Sequence, residues 1–407
     1  CLYTQMGFSQ LRALSPTGRC APFDARGDGL LVGEGAGVFL LKRLPDALAA
    51  GDHVYAVLRG IGLSNDVDGN LLAPSSEGQL RALRAAYAEA GWSPSDVDLI
   101  ECHATGTPVG DAVEFASLTE LWRDVDAPAG RCVLGSVKSN VGHLLTGAGV
   151  AGLLKVLLAL AHEELPPSAN FERAGPRIAL DGSPFTVLDA ARPWTRRAPG
   201  VPRRAAVSAF GFGGINAHLL VEEWLPGTTA DAPPAAPSAP CDVAIVGMDA
   251  WFGPWDGLER VAARLLGGGE AHQPALPSTW WGATADAAAH GYRIDAVPAP
   301  RGRFRIPPTE LAAMLPQQAL LLEVTRRALV DAGLAHPDGS RGRAPQSQLR
   351  TGVFVGTGLD LETTNFHVRW GLLPRARAWA RANGAPAEGP GFDAFVAALR
   401  DAFGPAL

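Results

Sequence analysis

The chain has 407 residues, of which 47% are hydrophobic and 19% charged, with 35 Lys plus Arg against 41 Asp plus Glu. This length and apolar fraction allow two or three domains with buried cores and exclude a chain that is disordered throughout. The formal net charge of -6 supplies no basic surface for phosphate backbones, so we expect no nucleic-acid partner. The longest apolar run, residues 150–161, contains Lys155. It is shorter than the ~20 residues of a membrane span, so we expect no membrane insertion.

The cysteines predict neither a disulfide framework nor a zinc ribbon. They are odd in number, widely separated and without CxxC spacing: Cys1, Cys20, Cys102, Cys132 and Cys241. No set of His and carboxylate residues has the spacing of a metal site, so we expect no metal. The sequence starts without an initiator Met and without a signal-type apolar run. We therefore expect a cytoplasmic protein, and a piece of a longer chain.

A change in composition divides the chain into two parts. Residues 226–240 are rich in Ala, Pro, Thr and Ser and contain no aromatic residue, which is typical of a semi-extended linker. The sequence therefore predicts one lobe over residues 1–225 and a second over residues 241–407.

Strands and helices alternate along the first lobe, which predicts an α/β fold. In chain order the pattern predicts a strand at 54–59, a helix at 79–90, a strand at 98–102, a helix at 113–122, a strand at 132–137 and a helix at 150–161. Ser76 and Gln79 have the spacing of a capping box at the first helix. The helix at 150–161 is apolar on all sides and is expected to be buried on several of them.

The second lobe begins with an apolar segment after the linker. Residues 241–248 predict a buried strand, residues 310–333 a helix and residues 351–356 another strand. From residue 372 onward the Ala, Arg and Gly content allows no assignment.

Three segments of the first lobe place polar side chains on loops at the ends of apolar elements, where active sites usually lie. The first carries His103, the second Lys138 and His143, and the third, at 208–218, alternates Gly and Phe. Taken singly, each has an ordinary alternative. A histidine at a strand end is more often structural, and the Gly and Phe segment is equally consistent with a tight hairpin.

Several other polar or glycine-rich features favour structural interpretations. Residues 147–152 match GxGxxG, but no strand directly precedes them and no acidic residue follows at the required distance, so close helix packing is preferred to nucleotide binding. Asp111 and Glu114 open a helix, where carboxylates are stabilising; Glu114 has the alternative of an ion pair with Lys138. His218 is expected at a strand edge.

The three loops in order, HATGTPVGD at 103–111, KSNVGH at 138–143 and FGFGGINAH at 210–218, resemble the carboxy-terminal half of β-ketoacyl synthases. Residues 11–16, 22–25 and 33–37 are similar to that family's central segment. The second lobe resembles the opening of another ketosynthase-like domain at 244–248, 314–323 and 352–356, with Leu315 in place of the family's Asp. Two such domains joined by a linker resemble the ketosynthase and chain-length-factor subunit of polyunsaturated fatty acid or polyketide synthases.

The resemblance implies a thiolase-like layered α/β fold, present here as incomplete copies. It implies that His103 and His143 are the catalytic histidines, that Lys138 orders the second of them and that Phe212 is the gate of the glycine-rich loop. The remaining pocket residues that it implies are Phe210, Gly213, Thr105, Thr107 and Asn140. The family's nucleophilic cysteine is expected upstream of this sequence and is not Cys1.

The activity implied is decarboxylative Claisen condensation of a carrier-bound acyl chain with a malonyl group. No cofactor is expected to bind directly, because the substrates are carried on the phosphopantetheine of an acyl carrier protein. That carrier and other synthase domains are the expected partners, in a homodimer or a ketosynthase and chain-length-factor pseudo-dimer. The alternatives are a non-catalytic chain-length-factor or scaffold pair that shapes the pocket, and a degradative thiolase, which the KSNVGH segment disfavours.

Overall fold

The computed structural model describes residues 2–67, 74–211, 214–226, 243–267, 291–294, 297–298, 304, 306–307, 310, 314–337, 353, 355–356 and 372–402. The helices are α1 (Leu2–Gln10), α2 (Leu44–Ala50), α3 (Ser76–Ala90), α4 (Pro108–Leu121), α5 (Lys138–Val141), α6 (Ala148–His162), α7 (Leu258–Leu265), α8 (Pro316–Asp331), α9 (Leu372–Ala382) and α10 (Pro390–Ala402). The strands are β1 (Val32–Gly33), β2 (Gly35–Arg43), β3 (Ala56–Asn65), β4 (Leu99–Glu101), β5 (Cys132–Gly135), β6 (Glu164–Leu165), β7 (Phe185–Val187), β8 (Arg192–Pro193), β9 (Arg204–Gly211), β10 (Ile215–Glu222), β11 (Val243–Phe252), β12 (Trp255–Asp256) and β13 (Gly291–Tyr292).

A mixed sheet of nine strands forms the centre of the described structure. Along the sheet the order is β12-β11-β3-β10-β9-β4-β5-β7. The ninth strand, β2, lies off this path and pairs with β11. Strand β4 runs parallel to β5 and β9, whereas β10 pairs antiparallel with both β3 and β9. The short strands β4 and β5 are entirely buried, and each leads into a polar loop. The carboxyl ends of β4 and β5 therefore lie side by side and bring their loops together.

The segment after residues 226–240 joins the same sheet as the first lobe. Strand β11 pairs antiparallel with β2, from Val243 opposite Arg43 to Phe252 opposite Gly35. It also pairs with the start of β3. Nearly all residues of β11 are buried. The predicted linker lies outside the described residues except for Pro226, and the division into two lobes stays a prediction.

Helix α6 occupies the centre of the largest apolar core. Leu154 and Leu157 are fully buried and share a cluster with Val207 of β9 and Ile245 of β11. The predicted burial of this helix on several sides is confirmed. Within the described residues, the stretch Leu145–His162 has the length and hydropathy of a membrane span, but 61% of it is buried against the rest of the protein.

The small residues at 147–152 allow α6 to approach the sheet closely. A methyl group at Gly152 would lie 3.1 Å from Glu101 Cγ and 3.3 Å from Val207 Cγ1. The preference for close packing over nucleotide binding agrees with these contacts.

Each predicted helix and strand of the first lobe is present, with ends that shift by a few residues. The capping box is wrong, because Ser75 is the residue that precedes α3 and it makes no side-chain cap. Gln79 instead accepts a hydrogen bond from Ser117 Oγ at 2.8 Å. The interpretation of His218 as an edge residue is also wrong, since β10 lies between β3 and β9 and its ring is 1% exposed.

Predictions for the second lobe are tested only in part. The strand at its start and the helix at α8 are confirmed. The predicted strand at 351–356 lies mostly outside the described residues, and Val353, Val355 and Gly356 are described without strand structure. Residues 372–402 form two helices, α9 and α10, whose apolar sides share a small cluster that includes Ala376 and Phe392.

Candidate active site

The first histidine is held by the turn that follows β4. The backbone N–H groups of His103 and Ala104 each donate to the Glu114 carboxylate at 2.8 Å. The N–H of Thr105 donates to Asp111 at 3.0 Å. Two buried carboxylates on the first turns of α4 therefore fix three successive residues of the loop, which sets the direction of the His103 side chain.

The second histidine is held by hydrogen bonds to its own backbone N–H and carbonyl groups. The His143 N–H donates to the Leu31 carbonyl at 2.6 Å, and the His143 carbonyl accepts from the Gly33 N–H at 3.0 Å. This bridge joins the loop after α5 to strand β1. The position of the imidazole thus depends on a segment far away in sequence.

The two imidazoles lie close together. Their ring centroids lie 5.4 Å apart, with an angle of 80° between the planes. The Nδ1 atom of His103 accepts from the Phe210 N–H at 3.2 Å, and the Nδ1 atom of His143 accepts from the Leu145 N–H at 3.1 Å. An Nδ1 atom that accepts a hydrogen bond carries no proton, so in each neutral ring the proton resides on Nε2. The site therefore contains two imidazoles whose Nε2–H groups are available as donors.

The surroundings keep both rings neutral. Burial, the Lys138 ammonium and His143 hold the pKa of His103 well below its ordinary value. Burial and the Lys138 ammonium lower the pKa of His143 to about 3. At neutral pH both rings are therefore uncharged.

Lys138 lies at the start of α5 and is 2% exposed. Burial lowers its pKa, while the carboxylates of Glu101 and Glu114 oppose this effect. The alternative of a contact ion pair between Glu114 and Lys138 is not realised, because among the described residues no carboxylate oxygen lies within 4.0 Å of this ammonium. Glu114 directs its oxygens at the His103 and Ala104 backbone instead, and attracts Lys138 only at longer range.

The acidic residues of α4 were expected mainly to stabilise a helix start, and their role as holders of the histidine loop was missed. Burial raises the pKa of Glu114 to about 7 and that of Asp111 to about 6. Each oxygen of the buried Glu114 carboxylate accepts one backbone N–H of the histidine loop. The only signal in the sequence is that these residues follow a polar turn at helical spacing.

A buried ion pair beneath the site was also missed. Lys155 of α6 lies 3.0 Å from Glu101 at the end of β4, and both side chains are at most 1% exposed. The other oxygen of Glu101 accepts the Val137 N–H, one residue before Lys138. This pair ties the central helix to the start of α5. In the sequence, Lys155 is only a charged interruption of the apolar run at residues 150–161.

The remaining predicted pocket residues differ in what they contact. Phe210 lies beside His103, with ring centroids 5.7 Å apart. The hydroxyls of Thr105 and Thr107 lie 2.9 Å from each other. Both polar ends of the Asn140 amide have protein partners, the Arg264 carbonyl and Ser139 Oγ. Phe212 and Gly213 lie outside the described residues. Contact of these side chains with substrate stays a prediction.

The cysteines that the structure describes are poor nucleophiles. Cys20, Cys102 and Cys132 are free thiols and fully buried. Burial raises the pKa of Cys20 to about 12 and raises those of Cys102 and Cys132 strongly. Since the thiolate is the reactive form, none of the three is suited to attack an ester carbonyl.

Two family descriptions match the chain and together cover most of it. Residues 55–172 match the C-terminal domain of β-ketoacyl synthases. Residues 2–47 and 241–389 match the N-terminal domain of the same family in two pieces. The histidine pair falls within the first match, and β11 within the second.

Curated relatives of the chain are large synthases. One component of the phenolphthiocerol/phthiocerol polyketide synthase of Mycobacterium tuberculosis is 47% identical over 221 residues, which are 53% of this chain and 12% of that protein. One component of the polyunsaturated fatty acid synthase of Thraustochytrium is 36% identical over 399 residues, which are 92% of this chain and 18% of that protein. The chain thus spans less than a fifth of the length of these relatives.

Solved structures with the same fold are ketosynthases. The ketosynthase from module 6 of the bacillaene synthase of Bacillus subtilis superposes with a TM-score of 0.53 and 39% identity, over 55% of this chain and 40% of that one. Ketosynthase twelve of the bacillaene synthase of Bacillus amyloliquefaciens gives 0.51 and 41%, over 52% of this chain and 38% of that one. The predicted thiolase-like α/β fold is confirmed, and the chain belongs to the β-ketoacyl synthase family.

Proposed function

We propose that the His103 and His143 pair is the oxyanion-stabilising centre of a condensing enzyme that extends carrier-bound acyl chains with malonyl units. The observation that carries this proposal is the convergence of two neutral rings whose Nδ1 atoms both accept backbone N–H groups. The family and the named relatives support it, because ketosynthase domains of polyketide and polyunsaturated fatty acid synthases perform carbon–carbon bond formation.

The chemistry follows from where charge develops. When the malonyl thioester loses carbon dioxide, the electron pair of the broken bond moves onto the thioester oxygen as an enolate. The Nε2–H groups of His103 and His143 donate to that oxygen, and donors fixed in advance stabilise a developing charge without reorganisation. The enolate carbon then attacks the enzyme-bound acyl carbon, forms the new carbon–carbon bond and expels the cysteine thiolate.

Lys138 adds a positive field behind this oxygen. Its ammonium also disfavours protonation of either imidazole, so the rings remain donors of a single Nε2 proton. In this proposal Lys138 positions and tunes the pair, and Phe210 forms one wall beside His103.

The nucleophilic cysteine is proposed to come from a segment outside this sequence, upstream of Cys1. The three described thiols are buried with raised pKa values and do not fit the task. On this basis residues 1–407 alone do not complete a condensation, and the longer chain that carries them does so.

The proposed substrates are acyl and malonyl groups on the phosphopantetheine of an acyl carrier protein, in a cytoplasmic synthase. That carrier and neighbouring synthase domains are the proposed partners, with a ketosynthase and chain-length-factor pseudo-dimer or a homodimer as the assembly. A purely non-catalytic scaffold is disfavoured for residues 1–225, because His103, His143 and Lys138 are all present.

The proposal is tested by release of carbon dioxide from a malonyl thioester by the full-length protein that carries this sequence. We expect His103→Ala and His143→Ala each to lower the rate by about 10²–10³, the typical effect of removing one oxyanion donor. The matched control is His162→Ala at an exposed helix end, which should leave the rate unchanged. A parental rate in either pocket variant refutes the assignment of the donors.

A further inference from the structure

The side chain of Arg264, which follows the predicted linker, forms hydrogen bonds with the segment that carries Lys138 and His143. Arg264 of α7 donates from Nε to the Asn140 carbonyl at 2.9 Å, and the Asn140 amide donates back to the Arg264 carbonyl at 3.1 Å. The two residues are 124 positions apart. A reciprocal pair of this kind fixes both the position and the direction of the backbone it joins.

Aromatic rings hold Arg264 in the conformation that makes this contact. Its guanidinium lies 4.9 Å from the centroid of the Trp255 ring and 5.8 Å from that of Tyr292. Its Nη2 atom donates to the Tyr292 hydroxyl at 3.3 Å. A planar guanidinium packed beside aromatic rings is pre-organised, so little conformational entropy is lost when its Nε–H donates a hydrogen bond.

The same distant segment supports His143 from a second side. Strand β13 pairs in parallel with β1, placing Tyr292 opposite Gly33. The Glu34 N–H donates to the Tyr292 carbonyl at 2.9 Å, while the Gly33 N–H donates to the His143 carbonyl at 3.0 Å. The backbone around His143 is therefore held through β1 by residues that lie far beyond it in sequence.

The loop needs such support because its own secondary structure is minimal. Helix α5 consists of four residues, little more than one turn. Isolated helices of this length are unstable in water, because the conformational entropy lost in ordering the first turn exceeds the free energy gained from its hydrogen bond. External contacts must therefore fix the distance between the Lys138 ammonium and the His143 ring.

We propose that Arg264 is a positioning residue that locks the Lys138–Val141 turn, and with it the His143 imidazole, to the segment that follows the linker. The effect of Arg264 on catalysis rests on the proposed function, whereas its role in positioning the Lys138–Val141 turn does not. The test therefore observes His143 directly.

The experiment compares Arg264→Ala, Arg264→Lys and Arg260→Ala in the full chain. Arg260 lies on the same helix, is exposed and serves as the matched control. Selective labelling of histidine follows the ring of His143 by NMR as pH is lowered. Lys138 is the charged group that opposes its protonation, and the neighbouring titratable group is the His103 ring. Hydrogen exchange of the peptide containing residues 138–145 reports the backbone.

In Arg264→Ala we expect the turn to loosen and water to reach His143, so that its titration midpoint rises by at least one pH unit. Exchange across residues 138–145 should accelerate about tenfold or more, while exchange across β5 stays unchanged. Arg264→Lys, which keeps the charge and one donor but lacks the planar fork, should give a smaller change of the same sign. Arg260→Ala should match the parent.

An unchanged titration of His143 and unchanged exchange in a folded Arg264→Ala protein overturn the proposal. If that variant unfolds, Arg264→Lys decides the question, because parental behaviour in both measurements then overturns it. Neither readout depends on turnover. Failure of the positioning role of Arg264 is therefore distinguishable from failure of the condensing activity, and the histidine variants test that activity separately.

Discussion

Burial determines the protonation states of the titratable side chains around the histidine pair. His103 and His143 stay neutral because protonation would place a cation in a desolvated site next to the Lys138 ammonium. The same environment raises the pKa of Glu114 to about 7, although two backbone N–H groups and Lys138 oppose the rise. Two neutral imidazoles and a carboxyl group with a raised pKa lie within one buried cluster, and shifted pKa values of this kind are typical of active sites.

A buried histidine outside the site makes this effect measurable in stability. His218 lies in the middle of the sheet, with Nδ1 3.0 Å from Ser208 Oγ and its ring stacked 5.6 Å from Tyr87. Burial lowers its pKa to about 3. The unfolded chain, with a pKa of ~6.5, binds the proton more readily, so this contribution to stability is complete above about pH 6.5 and is lost as pH falls toward about 3.

We expect His218→Asn to reduce the acid sensitivity of folding. Between about pH 7.5 and about pH 5 the parent should lose roughly 2 kcal/mol more unfolding free energy than the variant, because Asn does not titrate in this range. Urea denaturation at several pH values measures the difference. The exposed His162→Asn serves as control, and an identical pH slope for parent and His218→Asn contradicts the burial argument.

At the residue scale, the sequence pattern indicated that His103, Lys138 and His143 lie in polar loops after apolar strands, and the resemblance to β-ketoacyl synthases implied their roles. The contacts of Glu114 and Asn140 were not predictable in this way. Glu114 bonds to backbone N–H groups whose direction depends on the turn, and Asn140 meets a residue 124 positions away. Sequence patterns describe local periodicity and carry no information about such partners.

The elements of the fold are positioned by close approaches as much as by apolar side chains. Helix α3 crosses β3 at Gly60 and Gly62, where the backbone of the strand lies directly under the helix. A methyl group at Gly62 would overlap the carbonyl oxygen of Ala82, and one at Gly60 that of Ala86. Backbone atoms cannot move aside as a flexible side chain does, so these glycines set the distance between helix and strand.

We therefore expect Gly62→Ala to destabilise the protein, by about 1–3 kcal/mol or more, as for other overpacked contacts. The midpoint of urea denaturation, followed by circular dichroism, should shift to lower concentration. Gly391→Ala on α10 is the matched control, because nothing lies within 4 Å of the added methyl. A parental midpoint for Gly62→Ala shows that α3 can lift from the strand at no cost.

At the element scale, helices of clear periodicity were predicted within a few residues of their ends. Strand β3 was predicted too short, because its pairing with β10 continues to Asn65 beyond the apolar part of the segment. The two helices after residue 372 were not predicted, since Ala and Arg in alternation with Gly gave no periodic signal. Hydrogen bonds to a neighbouring strand can extend a strand beyond its apolar residues, and composition does not predict such an extension.

At the scale of the whole molecule, the segments on either side of the linker form a continuous sheet and core. Beyond the pairing of β11 with β2, Tyr55 of the first segment donates to Asp331 of α8 at 2.8 Å, and the Met248 N–H donates to the same carboxylate at 2.9 Å. Arg327 of α8 also pairs with Asp249 of β11 at 2.9 Å. Composition predicted a linker at residues 226–240, but it could not show that the residues after this segment join the same sheet as the residues before it.

We expect the chain to remain assembled when the linker is cut. A protease site introduced within residues 227–240 should yield two pieces that elute together in size-exclusion chromatography, because β11 is buried along its length. They should separate only in denaturant, with the uncut chain as reference. Separation of the pieces in native buffer contradicts the shared core.

The pairing of β2 with β11 also has a consequence for synthesis on the ribosome. Among the described strands, β2 has β11 as its partner, and β11 leaves the ribosome only after the whole first lobe and the linker. Until then β2 lacks the partner that the described strands give it, and an unpaired strand edge is a recognised template for aggregation. Pairing between segments so distant in sequence is also slow to form. Chaperone demand should therefore be greatest during translation of residues 44–252.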